Sequence, residues 1–331
     1  MDRLENMEMF RRVAEIGSFS AVARQLDVAR SVVTRQIAAL EAHLGVKLIA
    51  RSTRRLNLTG AGVAYLEKCR EILNLVEAAE SDVAAEGQVP RGHVRISVPF
   101  SFGLRHLTSL LLDFGALYPE ITLEVDYTDR RVNLIEEGVD LVIRITRRLA
   151  PQDVARKISV CRMLVVAADD YLRRRGEPQR PEELIDHECF GYVPATPSSW
   201  PFVIDGETRW FPIRSRLQAN NGDALLDAAI RGIGITNSPS FIAAAAIEAG
   251  SVRPILTGYA QPELGIYAVF PGNRYVPRRV RVLVDYLAER IGPEPYWDAL
   301  PLFRSAPRAP AAGRGRMAGD GKGGRQRGGK V

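Results

Sequence analysis

GSFSAVARQLDVARSVVTRQIAALEAHLGVKLIARSTRRLNLTGAG, residues 17–62, carries the densest structural signal in the chain. A helix leads into it. Residues 5–16 set Met9, Phe10, Val13 and Ile16 at helical spacing, and Gly17 supplies a stop. Ser20 suits the N-cap of a second short helix, residues 21–26, whose small alanines allow close packing. A tight connection around Asp27, Val28 and Ala29 opens a third helix, residues 30–43. Its apolar stripe is Val33, Ile37, Leu40 and Leu44, and Gly45 ends it. Residues 46–49 and 56–58 read as short strands joined by a polar segment containing Arg51, Ser52, Thr53, Arg54 and Arg55. Helix, short helix, turn, helix, hairpin is a helix-turn-helix followed by a wing.

The third helix offers Arg30, Ser31, Thr34, Arg35 and Gln36 near its start and on its outer face. Such side chains donate to base and phosphate acceptors, and a helix N-terminus attracts phosphate. Read alone, the same face is equally an ordinary solvated helix surface.

The contiguous pattern is more specific: SFS-A-x-A-x-x-L, then V-T-R-Q-I-x-x-L-E-x-x-L-G, then R-x-x-R and L-T-x-x-G. It resembles the winged helix-turn-helix of LysR-type transcriptional regulators. Ala29-Arg30-Ser31 stands where the family usually has Ser-Gln-Ser, Thr34 replaces the commoner Ser, and Ile49 replaces the usual Phe. The first change removes an N-cap and alters a base reader, which bears on the operator sequence. The resemblance implies that Ser20, Arg30, Ser31, Thr34, Arg35 and Gln36 form the DNA-reading side, with the helix in the major groove. Arg51, Ser52, Arg54 and Arg55 would hold phosphates or reach the adjacent minor groove.

Thr59 is placed to cap a further helix, to about residue 86. Leu66 and Leu73 lie seven apart, as do Cys69, Val76 and Val83, an a/d seam interrupted by Glu80. At ~1.5 Å per residue the rod is roughly 40 Å long. It reads either as an amphipathic helix packed on its own domain or as a dimerising linker helix, and the resemblance favours the linker, with Cys69 buried in the seam. The resemblance also implies a homodimer, and a homotetramer built from two such dimers. Promoter DNA would then be an interrupted palindrome, with half-sites about one turn apart, and RNA polymerase is a further partner it admits.

After the Gly/Pro-bearing segment GQVPRG, residues 87–92, strands alternate with helices. The reading is strand 93–98, helix 103–118, strand 121–126, helix 130–137 and strand 140–145. It continues with strand 163–167, helix 224–231, strand 233–236, helix 241–249, strand 266–270 and helix 277–291. That rhythm implies an open α/β sheet covered by helices. YPEITLEV, LIEEGVDLVIR, AAIRGIGITNSPSF and YAVFPGNRYVPRRVRVLVDYL extend the resemblance to the LysR-type effector domain, so that it spans about residues 1–298. The implied fold is multidomain: an all-α winged helix-turn-helix head (1–60), a long linker helix and hinge (61–90), and a two-lobed α/β domain (91–298). The last is of the type 2 periplasmic-binding-protein kind, with lobe one at 91–160 and 267–298 and lobe two at 161–266.

Ligands of open α/β sheets sit beyond the carboxyl ends of the strands, near helix N-termini. That rule selects Phe100, Ser101 and Phe102 after the first strand, then Thr128 and Thr146. From the second lobe it selects Asn221 and Gly222, which with Asp223 begin a helix, and Thr236 at a strand end. Phe202 is placed to cover an apolar ligand body. Together these suit a small-molecule effector, a carboxylate among the candidates. Ser, Asn and Asp before helices also serve simply as caps.

Other classes find little support. Three cysteines, Cys69, Cys161 and Cys189, form no C-x-x-C pair, and four scattered histidines show no metal-ligand spacing. No disulfide framework, metal or cofactor is therefore expected, and a reducing cytoplasm fits best. The start MDRLENMEMF lacks an apolar signal region, and no stretch is apolar enough for a membrane span. Nucleophile-elbow, phosphate-loop and zinc-protease motifs are missing, and Gly232-Ile233-Gly234 lies between helix and strand, the wrong order for dinucleotide binding. A solute receptor without DNA function would leave residues 1–60 unexplained. An enzyme using the cleft would need a cofactor motif or a nucleophile–base pair.

Charge gives a last check. Of the 331 residues, with net charge +6, residues 304–331 hold eight Lys/Arg against one Asp, and residues 1–60 hold ten against six. The remainder is acidic, so overall basicity says less than the ten cations of the head. The Gly/Ala/Pro/Arg-rich tail, 299–331, lacks the apolar residues to build a core and is expected to be disordered, a dispensable extension or a sequence-neutral aid to DNA affinity.

Overall fold

The structure is a computed structural model and describes residues 2–51, 56–83, 89–134, 136–151, 153–196, 198–272 and 276–299. Ser52, Arg54, Arg55 and the basic tail lie outside the described residues, as do the side chains of Arg51, Glu80 and Val83.

The head comprises α1 (Arg3–Ile16), α2 (Phe19–Gln25), α3 (Arg30–Leu44), and the hairpin β1 (Ile49–Arg51) and β2 (Leu56–Leu58). Asp2 caps α1, accepting from the amides of Leu4 and Glu5, and Gly17 closes it with a left-handed turn. The cap of α2 is Ser18, not Ser20 as the sequence suggested. Ser18 is extended, and its hydroxyl accepts from the amide of Ala21. Ser20 falls inside the first turn, exposed. Asp27 makes the turn into α3 in the left-handed region, at φ 52°, a conformation Asp tolerates. Phe10, Val13, Val22, Val33, Ile37, Leu40 and Leu48 form one buried core.

The long helix α4 (Gly60–Val83) starts at Thr59, whose hydroxyl accepts from the amide of Gly62 and donates to the Lys47 carbonyl. A Cβ at Gly62 would lie 2.0 Å from the Leu48 carbonyl oxygen. Only glycine lets the helix approach the wing this closely, which accounts for the last residue of L-T-x-x-G. Leu66 and Cys69 lie in the core of the head, with Tyr65 and Leu73 packed against it. These seam positions are therefore occupied within the chain itself, because α4 lies along α1. Val63 and Leu75 are about half exposed.

Two five-stranded mixed sheets follow. The first contains β3 (Gly92–Val98), β4 (Ile121–Tyr127), β5 (Leu141–Thr146), β6 (Val154–Cys161) and β14 (Leu264–Phe270), in the order β4-β3-β5-β14-β6. Its parallel core β4-β3-β5 has β14 antiparallel to both β5 and β6. The helical segment after β3 has three parts: α5 (Phe100–Phe102), a π-turn (Gly103–Leu107) and α6 (Thr108–Leu117).

The second sheet contains β7 (Met163–Ala167), β8 (Glu188–Tyr192), β11 (Arg214–Ala219), β12 (Ile235–Pro239) and β13 (Arg253–Ile255), in the order β11-β8-β12-β7-β13. Around it lie α7 (Asp169–Arg175), a 3-10 turn (Pro181–Asp186), α8 (Gly222–Ile230) and α9 (Ser240–Glu248). A separate hairpin, β9 (Ser199–Ile204) and β10 (Glu207–Pro212), turns at Asp205-Gly206, both with positive φ. The last helix, α10 (Arg278–Ile291), buries Val280, Leu283, Val284 and Leu287. A final 3-10 turn (Tyr296–Asp298) sets Trp297 edge-on against Phe102 and takes a 2.7 Å hydrogen bond from Arg162 at Asp298.

In the head, the strand expected at 46–49 forms instead at Ile49–Arg51. In the two-sheet domain two expectations fail locally. No helix forms over 130–137 among the described residues; instead the Glu137 carboxylate turns back to the Asn133 amide and the Arg130 guanidinium. That side chain satisfies the Asn133 amide, while a single turn is closed by the Glu137 amide on the Asn133 carbonyl. The strand expected at 233–236 runs from Ile235 to Pro239, because Gly232 and Ile233 are used to close α8 onto Ala229 and Ala228.

Candidate functional site

On α3, Arg30, Ser31, Thr34 and Arg35 are exposed on one side, opposite the buried Val33, Ile37 and Leu40. Ala29 caps the helix without a side-chain hydrogen bond; its carbonyl accepts from the Val32 amide at 2.9 Å. Arg30 and Arg35 form no ion pair among the described residues. The Thr34 hydroxyl donates to the Arg30 carbonyl at 3.0 Å, and Gln36 is half-buried with its Oε1 in the interior.

The wing is tied to α3 by a residue the sequence reading overlooked. Glu41 is buried, and its Oε1 accepts from the amides of Leu48 (3.0 Å) and Ile49 (3.1 Å), while Oε2 takes Lys47 at 2.7 Å. Burial pushes this carboxyl upward, but Lys47 and the two amides outweigh it and leave the pKa below its ordinary value. The signal was present: the Glu of L-E-x-x-L-G is an acid inside the apolar stripe of an amphipathic helix.

Between the two sheets lies a cleft of about 1200 Å³. The first sheet delivers Ser101 and Phe102 after β3, Thr128 after β4 and Thr146 from β5, and Gly222 comes from the start of α8; all five line it. Four other expected residues do not. Phe100 is half exposed away from the cleft, held through its amide by Asp129. Asn221 caps α8, accepting from the Ala224 amide at 3.1 Å, and leaves the lining to Asn220 and Gly222. Phe202 is fully buried in the core beneath the hairpin with Trp200 and Ile213. Strand alternation turns Pro201, and opposite it Trp210, to the cleft instead. Thr236 is buried within β12, between Val166 and Phe190, so Asn237 faces the cleft in its place.

Among the described residues, contacts cross the cleft at three places. Arg105 binds Asp223 through Nε at 2.8 Å and Nη2 at 2.6 Å, and the Ser101 hydroxyl donates to the same carboxylate. Arg147 lies over the Trp210 ring, 4.7 Å from its centroid. Phe102 meets Phe241 edge-on at 5.1 Å. The charge of the lining is one-sided: Arg130, Arg131, Arg144, Arg147 and Arg148 against Asp129. Arg144 is paired with Asp153 and Arg130 with Glu137. Arg131 and Arg148 meet no carboxylate among the described residues. Asp129 itself is pushed upward in pKa by burial, opposed by the Phe100 amide and reinforced by Asp223. Among the described residues no group of three or more metal-ligating side chains occurs, and no helix is long and apolar enough to cross a membrane.

A head with an exposed cationic helix, joined to two sheets around a cationic cleft, matches known proteins in both parts. Residues 4–63 fit the family model for the bacterial regulatory helix-turn-helix protein, lysR family, and residues 87–292 fit that for the LysR substrate binding domain. The chain belongs to the LysR family of transcriptional regulators. An HTH-type transcriptional regulator of Xanthomonas campestris pv. campestris is 36% identical over 293 residues, 87% of this chain and 85% of that protein. The regulator CrgA of Neisseria meningitidis serogroup C is 33% identical over 87% of this chain and 97% of its own. The structure of CrgA from Neisseria meningitidis superposes with TM-score 0.56 at 32% identity, covering 87% of this chain and 98% of that one. Full-length AphB of Vibrio cholerae gives TM-score 0.54 at 27% identity, covering 87% and 99%. As a LysR-type regulator this chain binds DNA through its helix-turn-helix and carries an effector-binding domain.

Proposed function

We propose that α3 enters the major groove with Arg30, Ser31, Thr34 and Arg35, while Arg51, Ser52, Arg54 and Arg55 of the wing hold phosphates or reach the minor groove. The observation that carries this reading is that Arg30 and Arg35 are exposed and form no ion pair among the described residues, on the helix whose other face is the core of the head. The small-molecule effector, with a carboxylate or similar anionic group, binds between the sheets beside Ser101, Phe102, Thr128, Thr146 and Gly222. The five arginines of the lining against one aspartate support an anion.

The domain limits follow: head to 60, linker helix and hinge to 90, and an effector domain to 298 in two lobes, with the tail beyond. Two chains pair through α4, where Val63 and Leu75 are exposed, and pairs of dimers make a tetramer on an interrupted palindrome. Effector binding changes the closure of the lobes and, through the assembly, the spacing of the heads, and so alters the approach of RNA polymerase at the promoter. The protein acts in the cytoplasm and has a regulatory role with no catalytic one.

A gel shift with the DNA upstream of the protein's own gene, in excess random duplex, tests the reading. Retarded upstream DNA whose affinity falls steeply with salt is expected. Equal retention of random and upstream DNA contradicts it.

A further inference from the structure

Glu137 stands between the cleft and the DNA-binding head. Its Oε1 accepts from Arg130 Nη1 at 2.7 Å and from the Asn133 amide at 3.0 Å, and its Oε2 takes Arg130 Nη2. Arg130 lines the cleft. On the other side, the Glu137 carbonyl accepts from Arg95 Nη1 at 2.8 Å, and the backbones of Arg95 and Asp140 are joined through the Asp140 carboxylate (2.9 Å) and the Asp140 amide (2.9 Å). The next residue, Gly138, has φ +61°, and a Cβ there would lie 2.8 Å from Arg70 Nη1. Arg70 belongs to α4, and its Nε donates to Glu15 of α1 at 3.0 Å. Hydrogen bonds and ion pairs thus join Arg130 to Glu137 and Arg70 to Glu15, and between the two pairs the Arg70 guanidinium lies close beside Gly138, in the space a side chain there would need. Together they join the cleft to the corner where α4 packs on α1.

We propose that Glu137 couples the two sites by competition: an anionic effector group takes Arg130 away from Glu137, and the freed Glu137–Gly138 turn shifts against Arg70 and thereby the α1–α4 corner. The proposal rests on the reading that the effector binds in this cleft. Its chemistry is an exchange of carboxylates around one guanidinium, which matches bidentate carboxylate recognition by arginine. Arg131 and Arg148 stand on the same side and meet no carboxylate among the described residues, so the lining can hold the incoming anion while Arg130 changes partner. Apart from Glu137, Arg130 meets only Asp126 among the carboxylates of the described residues, at 3.8 Å. The element thus has one state in the structure, Arg130 on Glu137, and one that the proposal adds, Arg130 on the ligand. A ligand that binds the second state better shifts the equilibrium by its differential affinity and no more.

Two measurements on the full chain separate the coupling from the cleft reading. The first needs no ligand. Glu137→Gln, Arg70→Ala and the double variant are compared for affinity to the upstream DNA and for hydrogen exchange of the α4 amides. Glu137→Gln is expected to change DNA affinity at least threefold and to raise exchange in the first half of α4, with both effects lost in the Arg70→Ala background. Additive effects of the two substitutions, or unchanged exchange, overturn the coupling. The second titrates succinate and benzoate, with their amides as uncharged controls, into the wild type and Glu137→Gln. At least one acid is expected to bind, its amide not, and to bind at least fivefold tighter to Glu137→Gln, because the competing carboxylate is gone. Equal affinity for the two proteins overturns the displacement step. If neither acid binds either protein while the ligand-free coupling holds, the cleft reading fails and the anionic half of the proposal with it.

Discussion

Arg147 and Trp210 face each other across the cleft mouth, the guanidinium carbon 4.7 Å from the ring centroid. Arg147 directly follows β5 of the first sheet, and Trp210 belongs to the hairpin beside the second. The stack is exposed, so its cation–π attraction is worth about 0.5–1 kcal/mol. Of the three tryptophans, Trp200 and Trp297 are buried and Trp210 is half exposed. Iodide quenching of tryptophan emission should therefore fall sharply in Trp210→Phe, with little loss of stability. Quenching that persists in the variant would place the accessible indole elsewhere.

A second bridge across the cleft, Arg105 to Asp223, is an ion pair about one-third exposed on each side. Exposed pairs contribute about 0.2–1 kcal/mol and weaken in salt. A cycle of Arg105→Ala, Asp223→Ala and the double variant, read by urea unfolding, should give a coupling in that range that shrinks at 1 M salt. A coupling of zero at low salt would show that the two halves of the cleft are not held by this pair.

Glu41 makes the head sensitive to acid. Its pKa in the fold lies below the ordinary value, so its ionised form is favoured by folding. Its contribution is complete above the unfolded-state pKa and is lost as pH falls through the folded one. Glu41→Ala removes the acceptor for two buried amides, costing about 1–3 kcal/mol at neutral pH. Thermal unfolding followed from pH 7 down to pH 2 should show wild type and variant converging in acid. Curves that stay parallel would assign the role to another group.

All three cysteines are buried and free. Burial pushes Cys69 up to about 11 and Cys189 up to about 12, and raises Cys161 as well. Thiolate is thus scarce and inaccessible at neutral pH. A thiol-specific reagent should label none of them quickly in the native chain and all three in denaturant. Rapid labelling of one would reveal an opening of the corresponding core.

The head was legible because its helices carry complete signals. The stripe Val33, Ile37, Leu40 and the stop at Gly45 fixed α3, and Thr59 fixed the start of α4. The same apolar spacing did not say what would cover it: Leu66 and Cys69 fit a dimer seam in sequence and meet α1 in the fold. Short edge elements were less legible. β11 is mostly exposed, with the polar sequence RSRLQA, and gains its identity from pairing with β8. In the cleft, single-residue register decided the outcome. The Asp205-Gly206 turn sets Phe202 inward and Trp210 outward, and the run of β12 to Pro239 puts Asn237 where Thr236 was expected. Strand periodicity names two faces but does not say which one is the ligand's. The 130–137 segment failed for a different reason. Glu137, a good helix former, spends its carboxylate on Arg130 and the Asn133 amide.

The most direct test of the account concerns the reading helix. Equilibrium binding of the full chain and of Arg35→Ala is measured on the upstream DNA and on a random duplex at one salt concentration. If Arg35 contacts a base edge, the variant loses about 1–3 kcal/mol on the upstream DNA and much less on the random duplex. Unchanged discrimination between the two duplexes would contradict the assignment of α3 as the element that reads the sequence.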